Sequence, residues 1–372
     1  MANPQSSQVK AGSRLVHVAC VGAGTWGMNL VRQFALLNRA RLLMCCDRRQ
    51  ERLDLIRSQF PSVGTTTNYE EILANDEVEA VVIAANAQYH YELARMALER
   101  GKHVFVEKPL ALRVEDAAAL VRLAKQAQRH LMVGHLMLYH PAMVKLKELI
   151  TEKALGDVLY LYTQRVNLGT IRHDENALWC FGPHDLSMIL HLLGEVPQVV
   201  RAFGQSFLRP GIPDVVFVGL SFASGRVAQL QMSWLDPNKI RRLTVVGSRK
   251  MAVFDDMEST EKLRIYDKGV ESDSYQSYGE ALALRFGDIH IPRIQPVEPL
   301  RIECEHFLRC IVDGTQPKTD GEHGYQIVQV LEAAQRSMDQ VGVPTLVGEI
   351  VRPAKQTARK RRAMQPQPVV ST

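Results

Sequence analysis

The sequence is poor in cysteine, and its six cysteines form no Cys-x-x-Cys pair. This absence argues against a zinc ribbon, a dithiol redox centre and a disulfide framework. Cys20, Cys45 and Cys46 lie in apolar runs predicted to be buried strands, and Cys304 and Cys310 lie on one predicted helix. We therefore expect reduced thiols, no bound metal and a cytoplasmic location.

Long apolar runs and a secretion leader are also missing. No apolar run is long enough to cross a bilayer, and residues 1–13 are polar and are predicted to be a flexible N-terminus. The net charge of +5 is inflated by residues 352–372, a basic stretch without apolar periodicity that is predicted to be a disordered tail. Because the remaining body is close to neutral, neither a nucleic acid nor a membrane is expected as a partner.

The most informative feature that is present is a glycine turn near the N-terminus. A strand-like run, 15–21, stops at the spacing G-x-G-x-x-G, which is formed by Gly22, Ala23, Gly24, Thr25, Trp26 and Gly27. A helical pattern follows at once, and its N-terminus would offer free N–H groups to a pyrophosphate. The next strand ends at Asp47, whose carboxylate suits the adenosine ribose, and Arg48 follows it. This pattern predicts a site for NAD and leaves NADP open.

The order of elements predicts two domains. Strands and helices alternate up to a strand at 131–134, which predicts a Rossmann domain, a doubly wound parallel sheet, over residues 14–134. Later strand-like segments alternate with period two, which predicts a substrate-binding α+β domain over 135–351 with an open, mostly antiparallel sheet. The last helix, 324–341, is expected beside the first domain. Because the open face needs a cover, we expect a homodimer or homotetramer through this sheet.

Polar residues follow three strands of the predicted parallel sheet, whose ligands should bind at the carboxyl ends of the strands. They are Asn86 and His90 after the fourth strand, Glu107 and Lys108 after the fifth, and His135 after the sixth. A proline after Lys108 fixes the backbone direction, so this lysine is predicted to point towards the nicotinamide. Glu107 is predicted to bind the nicotinamide ribose or neighbouring backbone.

His184 is the second candidate for chemistry. The residues Gly182-Pro183-His184 are predicted to open a helix, where the positive end of the helix dipole disfavours an imidazolium ion. A neutral imidazole suits a general base that removes a hydroxyl proton. Asp185 would orient the ring or cap the helix. The residues alone leave a purely structural histidine equally open.

Taken together, these motifs resemble the glucose–fructose oxidoreductase/inositol dehydrogenase (Gfo/Idh/MocA) family. The resemblance covers residues 14–350 and rests on the glycine turn, Glu107-Lys108-Pro109, His184-Asp185 and the stretch 317–321. It implies an N-terminal dinucleotide-binding domain, an open-sheet C-terminal domain and a Lys/His pair acting on a secondary alcohol. Lys108 would then contact the reacting hydroxyl and the nicotinamide, and His184 would accept the proton.

A narrower resemblance, over residues 167–185, is to the bacterial branch that oxidises C3 of UDP-N-acetylglucosamine or its uronic acid. It implies an NAD-dependent step of cell-envelope saccharide synthesis with a UDP-sugar as substrate. Many relatives have Asp four residues before the histidine, where this chain has Cys180. Arginines pair well with diphosphate oxygens, and amides bind sugar hydroxyls. Substrate contacts are therefore expected from Lys108, His135, Arg165, Asn167, Arg172, Asn176 and His184.

Two alternatives remain open at this point. The same scaffold would serve for a free polyol or sugar such as inositol, which needs no diphosphate site and no Arg172. A cofactor-binding regulator without catalysis is the second, and the presence of both Lys108 and His184 argues against it.

Overall fold

The computed structural model describes residues 14–169, 171–271 and 283–348. The stretches predicted to be a flexible N-terminus, 1–13, and a disordered tail, 352–372, lie outside the described residues, and both remain predictions.

The first third of the chain forms a parallel sheet, which has six strands within the described residues. They are β1 (Val16–Val21), β2 (Ala40–Cys46), β3 (Gly64–Thr66), β4 (Ala80–Ile83), β5 (His103–Glu107) and β6 (Leu131–Gly134). They lie in the order β3-β2-β1-β4-β5-β6, so the order reverses between β1 and β4. A crevice for ligands opens at such a reversal. The predicted Rossmann sheet is confirmed.

Helices cover this sheet on both faces and explain its apolar strands. They are α1 (Gly27–Leu36), α2 (Gln50–Gln59), α3 (Tyr69–Ala74), α4 (His90–Glu99) and α5 (Val114–Ala127). Every residue of β4 is buried, as its continuous apolar run requires. On α1, Leu30, Val31 and Phe34 recur at helical spacing and are fully buried in the core.

The second half of the chain forms a mixed sheet with helices on one face. Its elements are α6 (Pro141–Thr151), β7 (Val158–Val166), α7 (Ala177–Leu193), β8 (Val199–Gln205), β9 (Val215–Ser221), β10 (Val227–Ser233), β11 (Ile240–Gly247), β12 (Met251–Asp255), β13 (Leu263–Glu271), β14 (Ala283–His290), α8 (Pro299–Asp313), α9 (Gly321–Asp339) and β15 (Thr345–Leu346). Among the strands that the structure describes, the order is β14-β13-β12-β11-β7-β10-β9-β8-β15. The β7–β10 pair is parallel and the other described pairs are antiparallel, as predicted.

One face of the mixed sheet is packed and the other is open. On β9, buried Val216, Val218 and Leu220 alternate with exposed residues, among them Phe217. Phe217 pairs with Phe203 of β8, which is also exposed. The open face therefore carries apolar side chains as well as polar ones.

The last two helices return to the first sheet. Helix α9 packs against α5 and β6, the place predicted for the last helix, and also against β8. Just before α9, the Thr319 hydroxyl donates to the Val133 carbonyl at 2.7 Å, and the Val133 N–H donates to the Thr319 carbonyl at 2.8 Å. Helix α8 packs against α1, where Arg32 and Gln33 both bind the carboxylate of Glu298 at 2.7 Å. Residues from the end of the chain thus contact both β6 and α1 of the first sheet's domain.

No helix in the described part of the chain is both long and apolar enough to span a membrane. All six cysteines are buried and unpaired.

Candidate active site

The glycine turn lies at the carboxyl end of β1, beside the crevice between β1 and β4. Gly22 has a φ of +91°, and a Cβ there would lie 2.7 Å from the carbonyl carbon of Ala84. Gly24 faces open space instead, because the nearest atom to a Cβ would be the Arg49 guanidinium at 3.9 Å. Helix α1 begins three residues later, at Gly27. The open cradle above Gly24 and the N–H groups of the helix start fit the pyrophosphate of a dinucleotide.

Asp47 connects the end of β2 to this turn. Its Oδ2 accepts from the N–H of Ala23 at 2.7 Å, and its Oδ1 accepts from the N–H of Arg49 at 2.9 Å. Burial acts to raise the pKa of Asp47, but these hydrogen bonds lower it overall. The ionised carboxylate keeps lone pairs for ribose hydroxyls. Beside it, the Arg48 guanidinium stacks on the Tyr89 ring, 4.6 Å from the centroid.

Glu107 joins the glycine turn to the loop of Lys108. The indole Nε1 of Trp26 donates to Oε1 of Glu107 at 2.6 Å, and the N–H of Lys108 donates to Oε2 at 3.3 Å. Burial raises the pKa of Glu107, and these two residues oppose the rise. Thr25 and Asn86 are exposed near this crevice.

His90 fastens the Lys108 loop from the other side. Its Nδ1 lies 2.7 Å from the carbonyl oxygen of Pro109, and its Nε2 lies 2.9 Å from that of Ala85. Both ring nitrogens therefore face protein carbonyls. A hydrogen bond between His90 and the cofactor would require one of these two contacts to break. The structure gives His90 a positioning role, because it ties the loop that holds Lys108 to the end of β4.

Lys108 follows β5 of the parallel sheet and His184 lies on helix α7, and the two residues meet in one cleft. The ammonium Nζ of Lys108 donates to the backbone carbonyl of Cys180 on α7, at 3.3 Å. Burial, and then the charges of Lys108 and Arg165, hold the pKa of His184 well below its usual value. Its Nδ1 is buried, and no residue in the described part of the chain forms a hydrogen bond with it. The cleft thus combines an ammonium donor with a neutral imidazole that can accept a proton.

The helix that carries His184 begins earlier than predicted, so the predicted start at Gly182 is wrong. Helix α7 begins at Ala177, with Asn176 as its N-cap, and Pro183 lies inside it. Because His184 lies in the helix interior, its low pKa comes first from burial and the Lys108 charge and not from a helix N-terminus. A Gly-Pro pair usually breaks a helix, which explains the misplaced start.

Asp185 neither orients His184 nor caps the helix, contrary to both expectations. Its Oδ1 accepts from Nε of Arg165 at 2.8 Å, and its Oδ2 accepts from the Thr163 hydroxyl at 3.1 Å. Both charged partners are buried. This ion pair joins α7 to β7 beneath the cleft and engages one N–H of Arg165.

Two of the residues predicted to bind substrate lie in the segment before α7. Arg172 pairs with Glu175 at 3.0 Å and remains about half exposed, with a side-chain exposure of 48%. Asn167 is partly exposed at the end of β7. Their contacts with a substrate stay predictions.

Asn176 has protein partners at both ends of its amide. Its Oδ1 accepts from the N–H of Trp179 at 3.1 Å, and its Nδ2 donates to Gln335 on α9 at 2.9 Å. The residue therefore caps α7 and connects it to α9, and its contact with a sugar stays a prediction.

Three further polar residues reach the site region. His135 is 1% exposed, and its ring meets that of His323 edge to face with centroids 5.2 Å apart. Glu303 on α8 is fully buried, and neither of its oxygens has a partner among the described residues. Sequence reasoning missed His323 and Glu303, because a polar residue on an amphipathic helix ordinarily indicates its solvent face. Within the described residues, no group of three or more His, Cys, Asp or Glu side chains is arranged to hold a metal ion.

The burial of Glu303 should make stability fall with rising pH. Burial, and then the neighbouring Glu107, raise the pKa of Glu303 well above its usual value. Above the unfolded pKa the unfolded chain releases this proton and the folded chain keeps it, so folding loses about 1.4 kcal/mol per pH unit. We expect the Glu303→Gln variant to lack this loss. The unfolding free energy of the variant minus that of the wild type should therefore increase with pH. Denaturant titrations at several pH values measure the difference, and a difference independent of pH would contradict the prediction.

Comparison with known families covers both parts of the chain. Residues 16–135 match the model of an oxidoreductase family with an NAD-binding Rossmann fold, and residues 143–253 match the GFO/IDH/MocA C-terminal domain. Together the two matches span more than half of the chain.

The relatives of this chain include proteins that are named for different reactions. An uncharacterized oxidoreductase of Streptococcus pneumoniae serotype 4 is 28% identical over 58% of this chain and 62% of its own length, which is less than two thirds. A 2,7-anhydro-N-acetylneuraminate hydratase of Escherichia coli is 26% identical over 66% of this chain and 69% of its own. The UDP-N-acetylglucosamine 3-dehydrogenase of Acidithiobacillus ferrooxidans is 28% identical over 67% of this chain and 76% of its own. The solved structure of that dehydrogenase superposes with a TM-score of 0.74 at 24% identity, covering 87% of this chain and 98% of that one, which shows a shared fold.

Proposed function

The chain belongs to the Gfo/Idh/MocA oxidoreductase family, and on that premise we propose that it oxidises the C3 hydroxyl of a UDP-linked N-acetylated amino sugar, or its uronic acid. The product would be the 3-keto sugar, made for cell-envelope saccharide synthesis. The family's NAD-binding Rossmann domain is present, so the enzyme is an NAD-type oxidoreductase. The contact of Lys108 with α7, beside a neutral His184, carries the proposal.

The residues that would hold the cofactor follow one edge of the parallel sheet. Gly22 to Gly27 would hold the pyrophosphate, Asp47 and Arg48 the adenosine end, and Glu107 the nicotinamide ribose. When bound, NAD supplies the acceptor for the hydride that leaves the alcohol carbon. The carboxylate of Asp47 favours NAD over NADP, because it would repel the 2′-phosphate of NADP.

Lys108 and His184 would have different roles in the oxidation of the alcohol. The Lys108 ammonium donates a hydrogen bond to the substrate oxygen and stabilises the negative charge that grows there as the O–H bond breaks. His184, kept neutral by burial and by the Lys108 charge, accepts that proton. The C–H electron pair leaves as hydride and the O–H electron pair becomes the second C–O bond, which gives the ketone.

The choice of a UDP-sugar rests on residues 167–185 and on the similarity to the Acidithiobacillus dehydrogenase. One observation favours the second candidate, a free polyol or sugar. Arg165 is paired with Asp185 and Arg172 with Glu175, so both predicted diphosphate ligands already have carboxylate partners. Arg172 has the exposed side chain and can exchange its partner for a phosphate, whereas Arg165 is buried.

A panel of UDP-sugars and free sugars tests this choice. We expect reduction of NAD, followed by absorbance, with UDP-N-acetylglucosamine or its uronic acid and none with inositol. Arg172→Gln should raise KM for the UDP-sugar by about 10-fold or more, because a charge-assisted hydrogen bond to phosphate is lost. Arg113→Gln, which changes an exposed arginine of the first domain that pairs with Glu115, is the matched control. Oxidation of inositol without turnover of any UDP-sugar would refute the proposal in favour of the second candidate.

We also propose a second copy of the chain as a partner through the open face of the mixed sheet. Tyr160, Phe203, Phe217 and Val227 are each more than 40% exposed there. Burying such side chains against a second copy would remove apolar surface from water. The buried, unpaired cysteines support the proposed cytoplasmic location.

A further inference from the structure

Four histidines extend from the cleft to a partly exposed position on α7. His184 and His191 lie on the same side of α7, seven residues and therefore about 10 Å apart. His135 follows β6 and His323 lies in the first turn of α9, and their rings are in contact with centroids 5.2 Å apart. Besides burial and nearby lysines, His135 lowers the pKa of His184 and His323 lowers that of His191. Helix α7 packs against residues 136–139, directly after His135, and against α9, which carries His323, so the His135–His323 ring pair lies beside the helix of His184 and His191.

The inner part of this row holds an unusual set of unpaired atoms. Within the described residues, Nδ1 of His184 and both ring nitrogens of His135 and His323 are buried without a hydrogen-bond partner. Buried polar atoms ordinarily find partners, because leaving one unpaired reduces stability. These buried imidazoles without protein partners leave their nitrogens available to water or to one another. The same side chains are not arranged to hold a metal ion.

The charges around the row favour neutral rings. The charges of Lys108, Arg165 and Arg241 lower the pKa of His184, and those of Lys147 and Lys318 lower that of His191. Asp320 acts in the opposite direction on the pKa of His323. Burial lowers the pKa of His323 to about 4 and outweighs Asp320. A neutral imidazole has one protonated and one free nitrogen, so it can accept a proton on one side and release another from the other side.

We propose that His135 and His323 form a proton relay that carries the substrate's hydroxyl proton from His184 to solvent beside His191. This rests on the proposed alcohol oxidation. With substrate and cofactor bound in the cleft, water would be excluded from it, and the proton on His184 would need a path through the protein. His184 accepts the proton and releases one from Nδ1 to His135, and His135 passes one to His323, each directly or across a single water. His323 releases the proton to water near His191, and every ring returns to its neutral form.

The test compares proton release with hydride transfer in the full chain. With NAD and whichever alcohol of the panel is oxidised, stopped-flow absorbance follows the reduced nicotinamide while a pH indicator follows the released proton. In the wild type the two signals should coincide in weak buffer. In His323→Gln the proton signal should lag and turnover should fall by about 10-fold, and added imidazole buffer should restore turnover. His103→Gln is the matched control, because His103 is also a partly buried histidine of low pKa but lies at the opposite end of β5.

Three results would overturn the relay. The first is that His323→Gln turns over as fast as the wild type in weak buffer. The second is that the variant is slow and no buffer restores its turnover, because this would indicate a structural role for His323. The third is independent of activity: in cofactor-free protein with ¹⁵N-labelled histidine, His135 and His323 should remain neutral at pH 7, and a charged ring would exclude the mechanism. If a free polyol is the alcohol oxidised, the UDP-sugar proposal fails and the relay is still tested. If no alcohol is oxidised, both fail.

Discussion

Replacing Lys108 by methionine is expected to lower kcat for alcohol oxidation by about 10²–10⁴-fold while leaving the Kd of NAD nearly unchanged. The ammonium is the group that would bind the reacting oxygen, and its Nζ already lies 3.3 Å from the Cys180 carbonyl across the cleft. Methionine keeps the length of the side chain and removes the charge. Steady-state kinetics give kcat, and calorimetric titration of the cofactor gives Kd.

Two comparisons make this result specific. Lys145→Met removes a surface lysine that is paired with Glu148 on α6, and it should leave both quantities as in the wild type. A Lys108→Met enzyme with near-normal kcat would remove Lys108 from the mechanism. Loss of NAD binding with unchanged chemistry in single turnovers would assign it to the cofactor site instead.

Replacing Asp185 by asparagine should reduce the unfolding free energy by about 3–5 kcal/mol, a large part of the stability of a typical protein. The substitution leaves the Arg165 guanidinium, whose side chain is 8% exposed, buried without its counter-charge. The carboxylate is the acceptor for both Arg165 and Thr163, whereas the amide keeps one acceptor oxygen and carries no charge, so the counter-charge and one of the two acceptors are lost. Denaturant unfolding followed by circular dichroism measures the loss.

A double variant separates the ion pair from simple loss of packing. Arg165→Met with Asp185→Leu removes both charges and should recover most of the lost stability, because apolar pairs replace buried ion pairs well. Glu148→Gln, which breaks an exposed pair, should change the unfolding free energy by less than about 1 kcal/mol. An Asp185→Asn variant as stable as Glu148→Gln would show that the buried pair contributes little.

The sequence predicted those parts of the site whose signals are local. The glycine turn and the strand that precedes Lys108 are short patterns of residue type, because turn geometry and strand burial depend on nearby residues. The roles of Asp185 and His323 depend instead on contacts between distant elements, such as α7 with β7 and α9 with β6. No local pattern distinguishes a buried ion pair from a solvated helix face.

The second sheet shows the same limit at the level of strands. The period-two alternation that indicates a strand arises because one face is buried, and β9 and β10 show it. On β14 the side chains of Leu284, Phe286 and Ile289 are all more than half exposed, so no alternation marks this edge strand. Period-two alternation therefore marks the centre of this sheet and is absent from its β14 edge.

The pairing of Thr319 with Val133 also bears on how the chain is made. The two residues are 186 positions apart, so on the ribosome the first sheet lacks this partner until nearly the whole chain has been synthesised. At 5–20 residues per second, β6 would wait roughly 10–40 s with an open edge. Strands with open edges are prone to pair with other chains. A nascent chain stalled before residue 319 would therefore present its dinucleotide-binding half to chaperones as an unfinished sheet.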